Sequence, residues 1–145
     1  MTYATRDDLI ARFGADELAQ RESMLPAGAL DQALLDADAD INSYAATHYQ
    51  LPLSPVPPNV RRVATVMARY FMLGPVADDR ARNDFADVRA WLRDVQAGKV
   101  QLDALPIGGL AGSGAGTAGA VQGRVVQVST PGVFGRRNRG RGHSC

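Results

Sequence analysis

The run Leu34-Leu35-Asp36-Ala37-Asp38-Ala39-Asp40-Ile41 sets three carboxylates at alternate positions, the spacing with which an EF-hand loop offers its first calcium ligands. The rest of such a loop is missing. Its sixth position, where a sharp turn needs glycine, is Ile41, and its twelfth, where a bidentate glutamate completes the oxygen shell, is Thr47. A helix accounts for the stretch instead: Leu30, Leu34, Ala37, Ile41, Tyr44, Ala45 and His48 recur at three- and four-residue steps with the aspartates between them. On that helix residues 36, 38 and 40 step round by about 200° each and cannot converge on one ion. The expectation is no metal site and an acidic helix surface that faces solvent or an interface. Asp36 and Asp40, four residues apart, repel slightly, and nothing nearby on the helix offsets them. A basic partner, in this chain or another, suits that face.

Other residues capable of chemistry are sparse. His48 falls on the apolar side of the same helix and reads as a structural histidine, since no serine or cysteine nucleophile motif accompanies it. His143 sits in a basic tail, and one cysteine, Cys145, with two distant histidines makes neither a disulfide nor a zinc ligand set. Gly114-Ala115-Gly116-Thr117-Ala118-Gly119 matches the G-x-G-x-x-G pattern, but no strand precedes it and too little chain follows for a βαβ unit. The carboxylates are spread over helix surfaces without a paired acid and base. No catalytic residue, cofactor or metal is expected, and the chain reads as a non-enzymatic protein.

The elements that would carry these residues are helical. The 145 residues, 46% hydrophobic and 21% charged, are ordinary for one globular domain, with no apolar run long enough for a membrane span or a signal peptide. A cytoplasmic site of synthesis and no membrane partner are therefore expected. Thr5 as N-cap, Asp8 three residues on and Gly14 after the C-terminus bracket a short first helix. A second short helix is expected over about Ala15 to Arg21, and the long acidic helix over Gly28 to Tyr49. Pro52, Pro55, Pro57 and Pro58 stop it, and Pro58 opens the next one. That helix carries Val60, Val63, Ala64, Met67, Tyr70 and Phe71 on its apolar stripe, puts Arg61, Arg62 and Arg69 elsewhere on its surface, and stops at Gly74-Pro75. A last helix over about Asp78 to Ala97 ends at Gly98, and Val100-Gln101-Leu102 is expected to pack back on the bundle. Three long and one or two short helices make a small all-α bundle, residues 1–105.

Composition then changes. Residues 106–123 form a glycine-rich linker, with seven glycines between Gly108 and Gly123. Residues 124–145 form a basic arm that begins with the β-prone Arg124-Val125-Val126-Gln127-Val128-Ser129-Thr130, where Val126 and Val128 point one way. From Pro106 on there are five arginines and no acidic residue, which leaves 11 basic and 15 acidic residues in the body. A lone strand is unstable in water, so the arm is suited to adding to a partner's sheet. Phe134 supplies one apolar anchor. Arg136, Arg137, Arg139 and Arg141 resemble an RGG-like segment and make nucleic-acid contact the competing use.

The order of three blocks carries a resemblance. The opening Y-x-x-x-x-D-L-I-x-R-F-G at Tyr3 to Gly14, then A-D-A-x-I-x-S-Y followed by Y-x-L-P-L across Ala37 to Leu53, and W-L-x-D-x-x-x-G-K-V-x-L at Trp91 to Leu102 resemble the Mu-like phage head–tail connectors, also called adaptors or head-completion proteins. The resemblance covers about residues 2 to 105. It implies a helical bundle that assembles as a ring of twelve copies in the virion neck, joins the capsid portal protein to the tail or a tail-completion protein, and engages the portal with a C-terminal arm. On that reading the arm contacts would include Val126, Val128, Phe134, Arg136, Arg137, Arg139 and Arg141. Ring contacts would pair Asp36 and Asp40 with Arg61, Arg62 or Arg69 of a neighbour. The alternative is a module that holds packaged DNA with the arginine tail.

Overall fold

In a computed structural model the chain divides into two units, Met1–Gly109 and Leu110–Cys145, and the structure describes residues 1–108. The β-prone segment, the glycine-rich stretch beyond Gly108 and the arginine tail lie outside the described residues. The order is α1 (Arg6–Phe13), α2 (Ala15–Met24), α3 (Ala29–Ala45), α4 (Pro58–Leu73), a 3-10 turn at Gly74–Val76, and α5 (Asp79–Gln96). Among the described residues the regular structure is all helical, and no helix there is long and apolar enough to cross a membrane.

Local chemistry sets most boundaries. The Thr5 hydroxyl accepts the Asp8 N–H at 3.3 Å and the Asp8 carboxylate accepts the Thr5 N–H at 2.8 Å, a reciprocal capping box at the start of α1. Gly14 closes α1 and opens α2 in one residue: its N–H bonds to Ile10 at 2.9 Å and its carbonyl accepts Leu18 N–H at 3.3 Å. It does so at φ 98°, ψ 148°, a conformation open to glycine but not to residues with a Cβ. The second helix runs one turn further than expected, to Met24. Pro58 fills the first turn of α4, and the Asp78 side chain caps α5 through Ala81 N–H at 2.8 Å.

The core is built round α4. Its periodicity predicts one stripe, yet Val63, Ala64, Thr65, Val66, Met67 and Ala68 are all buried in succession. A helix buried on every side in its middle turns needs partners on several sides. These are α3, α5 and the short α1. Thr65, polar among apolar neighbours, is satisfied by donating to the Arg62 carbonyl at 2.7 Å. Phe85 of α5 stacks on Tyr70 with ring centroids 4.1 Å apart and meets Phe71 edge-on at 5.7 Å.

Two expectations are corrected by tertiary contacts. The acidic helix ends at Ala45 rather than Tyr49, because the chain turns there: both His48 and Tyr49 N–H groups bond to the Ala45 carbonyl. The turn puts the buried Tyr49 hydroxyl where it accepts Leu102 N–H at 2.7 Å. Gln50 N–H reaches the Leu105 carbonyl, and Ile107 N–H the His48 carbonyl, each at 2.9 Å. The segment after α5 thus packs back as expected and stays paired as far as Ile107. His48 is exposed, off the apolar face assigned to it, and its Nε2–H donates to the Gln96 carbonyl at 2.8 Å.

The second correction concerns Asp38. It is not on a solvated surface but 8% exposed, with its two carboxylate oxygens accepting the Tyr3 N–H at 3.0 and 3.1 Å. The Tyr3 hydroxyl donates to Asn42 Oδ1 and accepts Leu53 N–H at 3.0 Å. Burial raises the Tyr3 pKa above the usual 10.0, so the phenol keeps its proton at neutral pH. One side chain therefore joins the N-terminus, α3 and the proline loop.

Tyr3→Phe strands Leu53 N–H and Asn42 Oδ1 and should cost about 1–3 kcal/mol in urea unfolding; a loss below about 0.5 kcal/mol would remove the phenol from this role. The Asp38 carboxyl is held above the ordinary 3.8 chiefly by burial, opposed by the Tyr3 N–H and the positive amino terminus. Between the ordinary and the raised value the folded state keeps a proton that the unfolded chain releases. Stability from this group therefore falls as pH rises through that window and is level above it. The unfolding free energy of the wild type relative to Asp38→Asn should decline over that range; a difference that rises with pH would reverse the assignment.

Candidate functional site

A groove with charged walls lies between α1 and the start of α4. Asp8, Ala11 and Arg12 line one side, Pro58, Arg61, Arg62 and Thr65 the other, around a volume of about 520 Å³. The capping box turns Asp8 inward to Thr5. Arg12, Arg61 and Arg62 are exposed, and among the described residues the ion pairs are Arg6–Glu22, Arg69–Glu17, Arg82–Asp79 and Lys99–Asp94, so none of the three is neutralised by a carboxylate. The first turn of α4 has no acidic residue, and two arginines follow at once. Cations near a helix N-terminus oppose its dipole at a cost of a few tenths of a kcal/mol. A sequence that sets three arginines against one another and against the helix is arranged for a negative partner.

Arg69, expected on the same basic surface, is committed inside the subunit. Its Nε donates to Glu17 at 2.7 Å, its guanidinium lies 4.7 Å from the Phe13 ring centroid, and its side chain is 19% exposed. It fastens α4 to the α1–α2 corner and is no longer a free basic group. Arg12, which sequence reasoning did not select, takes its place beside Arg61 and Arg62 because α1 packs across α4.

The acidic face divides too. Asp36 is exposed and accepts Gln32 Nε2–H at 2.8 Å along its own helix. Asp40 is half-buried on the side towards α5, where Arg89, which donates to the Tyr44 hydroxyl at 3.3 Å, also feels the Asp40 charge. Among the described residues Asp40 makes no ion pair. The exposed residues of α3 are Asp31, Gln32, Leu35, Asp36, Ala39 and Ser43, with Leu35 at 52% exposure. The arm residues Val126, Val128, Phe134, Arg136, Arg137, Arg139 and Arg141 lie outside the described residues.

Residues 3–111 match the family model described as Bacteriophage Mu, Gp36. The chain belongs to the bacteriophage Mu Gp36 family. It is 37% identical over 105 residues to the Mu-like prophage FluMu protein gp36 of Haemophilus influenzae, covering 69% of this chain and 74% of that one. It is 30% identical over 148 residues to Gene product J of Escherichia phage Mu, covering 97% of this chain and 99% of the other. The family match spans the groove, the outward α3 face and the Tyr3 node of this Gp36-family chain. Like the second relative's alignment, it also continues past the helical bundle.

Arg69→Met keeps the aliphatic stem over Phe13 and removes the charge. It should lower stability by about 1 kcal/mol, whereas Arg61→Ala with Arg62→Ala should stay within about 0.5 kcal/mol, both read by urea unfolding. Equal losses would mean that the groove arginines, too, are spent on the fold.

Proposed function

We propose that this Gp36-family protein is a structural, non-enzymatic component of the phage virion: a head–tail connector that forms a ring in the neck and links the capsid portal protein to the tail. The observation that carries the reading is the membership of a bacteriophage Mu family by a chain whose helical body keeps a basic groove and an acidic face unspent on its own fold. Different surfaces that attract one another produce head-to-tail contacts, and such contacts close into rings when the rotation allows. The arm from 124 to 145 is assigned to the portal, where Val126 and Val128 would extend a sheet edge and Phe134 would anchor in a groove. Repeated round a ring, individually weak arms gain avidity. The five arginines of the C-terminal portion favour one second reading, contact with packaged DNA through phosphate.

The test is purified portal with full-length chain and with a chain lacking residues 124–145, combined with electron microscopy of the assembled neck. The connector reading expects the truncated chain to keep its unfolding midpoint and lose portal docking, and the full chain to trace as a helical ring beneath the portal. Docking by the truncated chain would exclude the arm, and absence from the neck would defeat the reading. Binding to a DNA duplex that weakens steeply across a salt series and scales with the number of tail arginines would favour the second reading.

A further inference from the structure

We propose that the groove between α1 and α4 is a receptor for the outward face of α3 of a second copy of this chain, with Leu35 as the central contact and Asp31 and Asp36 meeting Arg12, Arg61 and Arg62. The proposal rests on the self-assembly of the connector reading and specifies its contact surfaces.

Three observations lead there. The groove sets three arginines beside the apolar side chains of Ala11 and Pro58, so a negative surface that also carries an apolar side chain complements it. The α3 face has that character: Asp31 and Leu35 are four residues apart, Asp36 and Ala39 three apart, and the patch spans about 12 Å of helix. Leu35 lies among the larger exposed apolar side chains of the body, at 52%, and would be covered in the contact. The third observation selects a protein partner over a polyanion. The body outside the arm has 15 acidic against 11 basic residues, and Asp8 sits in the groove wall, so a long phosphate chain meets repulsion on either side of a short basic site. The face and the groove are different surfaces, so each copy gives one and receives on the other, and the association propagates head to tail.

The roles of Asp40 and Arg69 change accordingly. Asp40 is half-buried and Arg69 is paired with Glu17, so reversing either charge would disturb the subunit before any contact between subunits. The informative positions are exposed ones that bond to nothing across the fold.

The experiment uses the full chain in two charge-reversed forms: a groove variant, Arg61→Glu with Arg62→Glu, and a face variant, Asp31→Lys with Asp36→Lys. Self-association is measured by sedimentation velocity over a concentration and salt series. Wild type should associate at low salt. Each variant alone should associate at least about tenfold more weakly, and an equimolar mixture should recover association, because native face meets native groove and reversed face meets reversed groove. Leu35→Asp provides a second route with the groove intact and should give the same loss. Circular dichroism of each variant should match wild type, all five positions being exposed. A wild type that stays monomeric throughout, variants that associate like wild type, or a mixture that fails to recover would overturn the proposal. So would loss of association in the face variant alone, since Asp31 and Asp36 would then be meeting the arginine tail. Binding of a DNA duplex abolished in the groove variant, with self-association unchanged, would assign the groove to phosphate and overturn it as well. Portal docking measured in parallel separates the two levels: groove variants that dock on portal yet do not self-associate leave the connector reading standing and speak to the contact alone.

Discussion

Six consecutive buried residues in the middle of α4 are the constraint from which the rest of the molecule follows. A helix with one apolar stripe can lie on a neighbour, whereas a helix buried all round must be enclosed. In a body of this size the enclosure takes both remaining long helices and the short α1 as well. Solvent reaches α4 before Val63 and, in part, at Arg69 to Phe71, and that is where its arginines are placed. Arg61 and Arg62 emerge at the N-terminal end beside α1, and Arg69, nearer the other end, emerges only as far as Glu17 and the Phe13 ring. The same basic residue type on one helix thus does two jobs, separated by how completely the neighbours close over it.

Enclosure by helices alone would leave the N-terminal residues and the proline loop loosely attached, and Tyr3 supplies the tie. Its backbone N–H and its hydroxyl hold positions 35 and 50 residues away, so a polar node carries long-range order in a fold whose helices are otherwise joined by short connections. The Asp38 carboxylate sits on α3 with its oxygens turned to one donor residue, and burial opposes its ionisation. Such a node favours one arrangement of chain over others with similar apolar burial, because a misplaced N-terminus leaves a buried carboxylate without its donor.

Whatever depends on neighbours in sequence could be read from sequence. The capping box of Thr5 and Asp8, the two-helix corner at Gly14 and Pro58 as the opening of α4 all appear in the structure as expected. What failed depends on residues distant in the chain. The end of α3 at Ala45 is set by Tyr49 bonding to Leu102, 53 positions on. The Asp38 burial is set by Tyr3, although a trace of it was present: the step Leu34, Asp38, Ile41, Ala45 keeps the apolar period, which a solvated aspartate has no reason to occupy. The position of Arg12 has the same cause, since only the packing of α1 across α4 brings it into one groove with Arg61. Of the residues considered for contact between subunits, Asp36, Arg61 and Arg62 are exposed, Asp40 is half-buried, and Arg69 is paired with Glu17.

The distribution of charge then has a physical reading that neither net charge nor any single motif contains. Subunit stability would gain from moving an acidic residue into the first turn of α4 or beside Arg12, and from replacing the exposed Leu35 with a polar side chain. The chain does neither, while it satisfies Arg6, Arg69, Arg82 and Lys99 with carboxylates of its own. Unmet charge is tolerated where a partner later meets it, and in the groove three such arginines lie together. On the proposed self-association the basic groove and the acidic α3 face, opposite in sign and on different surfaces of one chain, would meet between two copies of it.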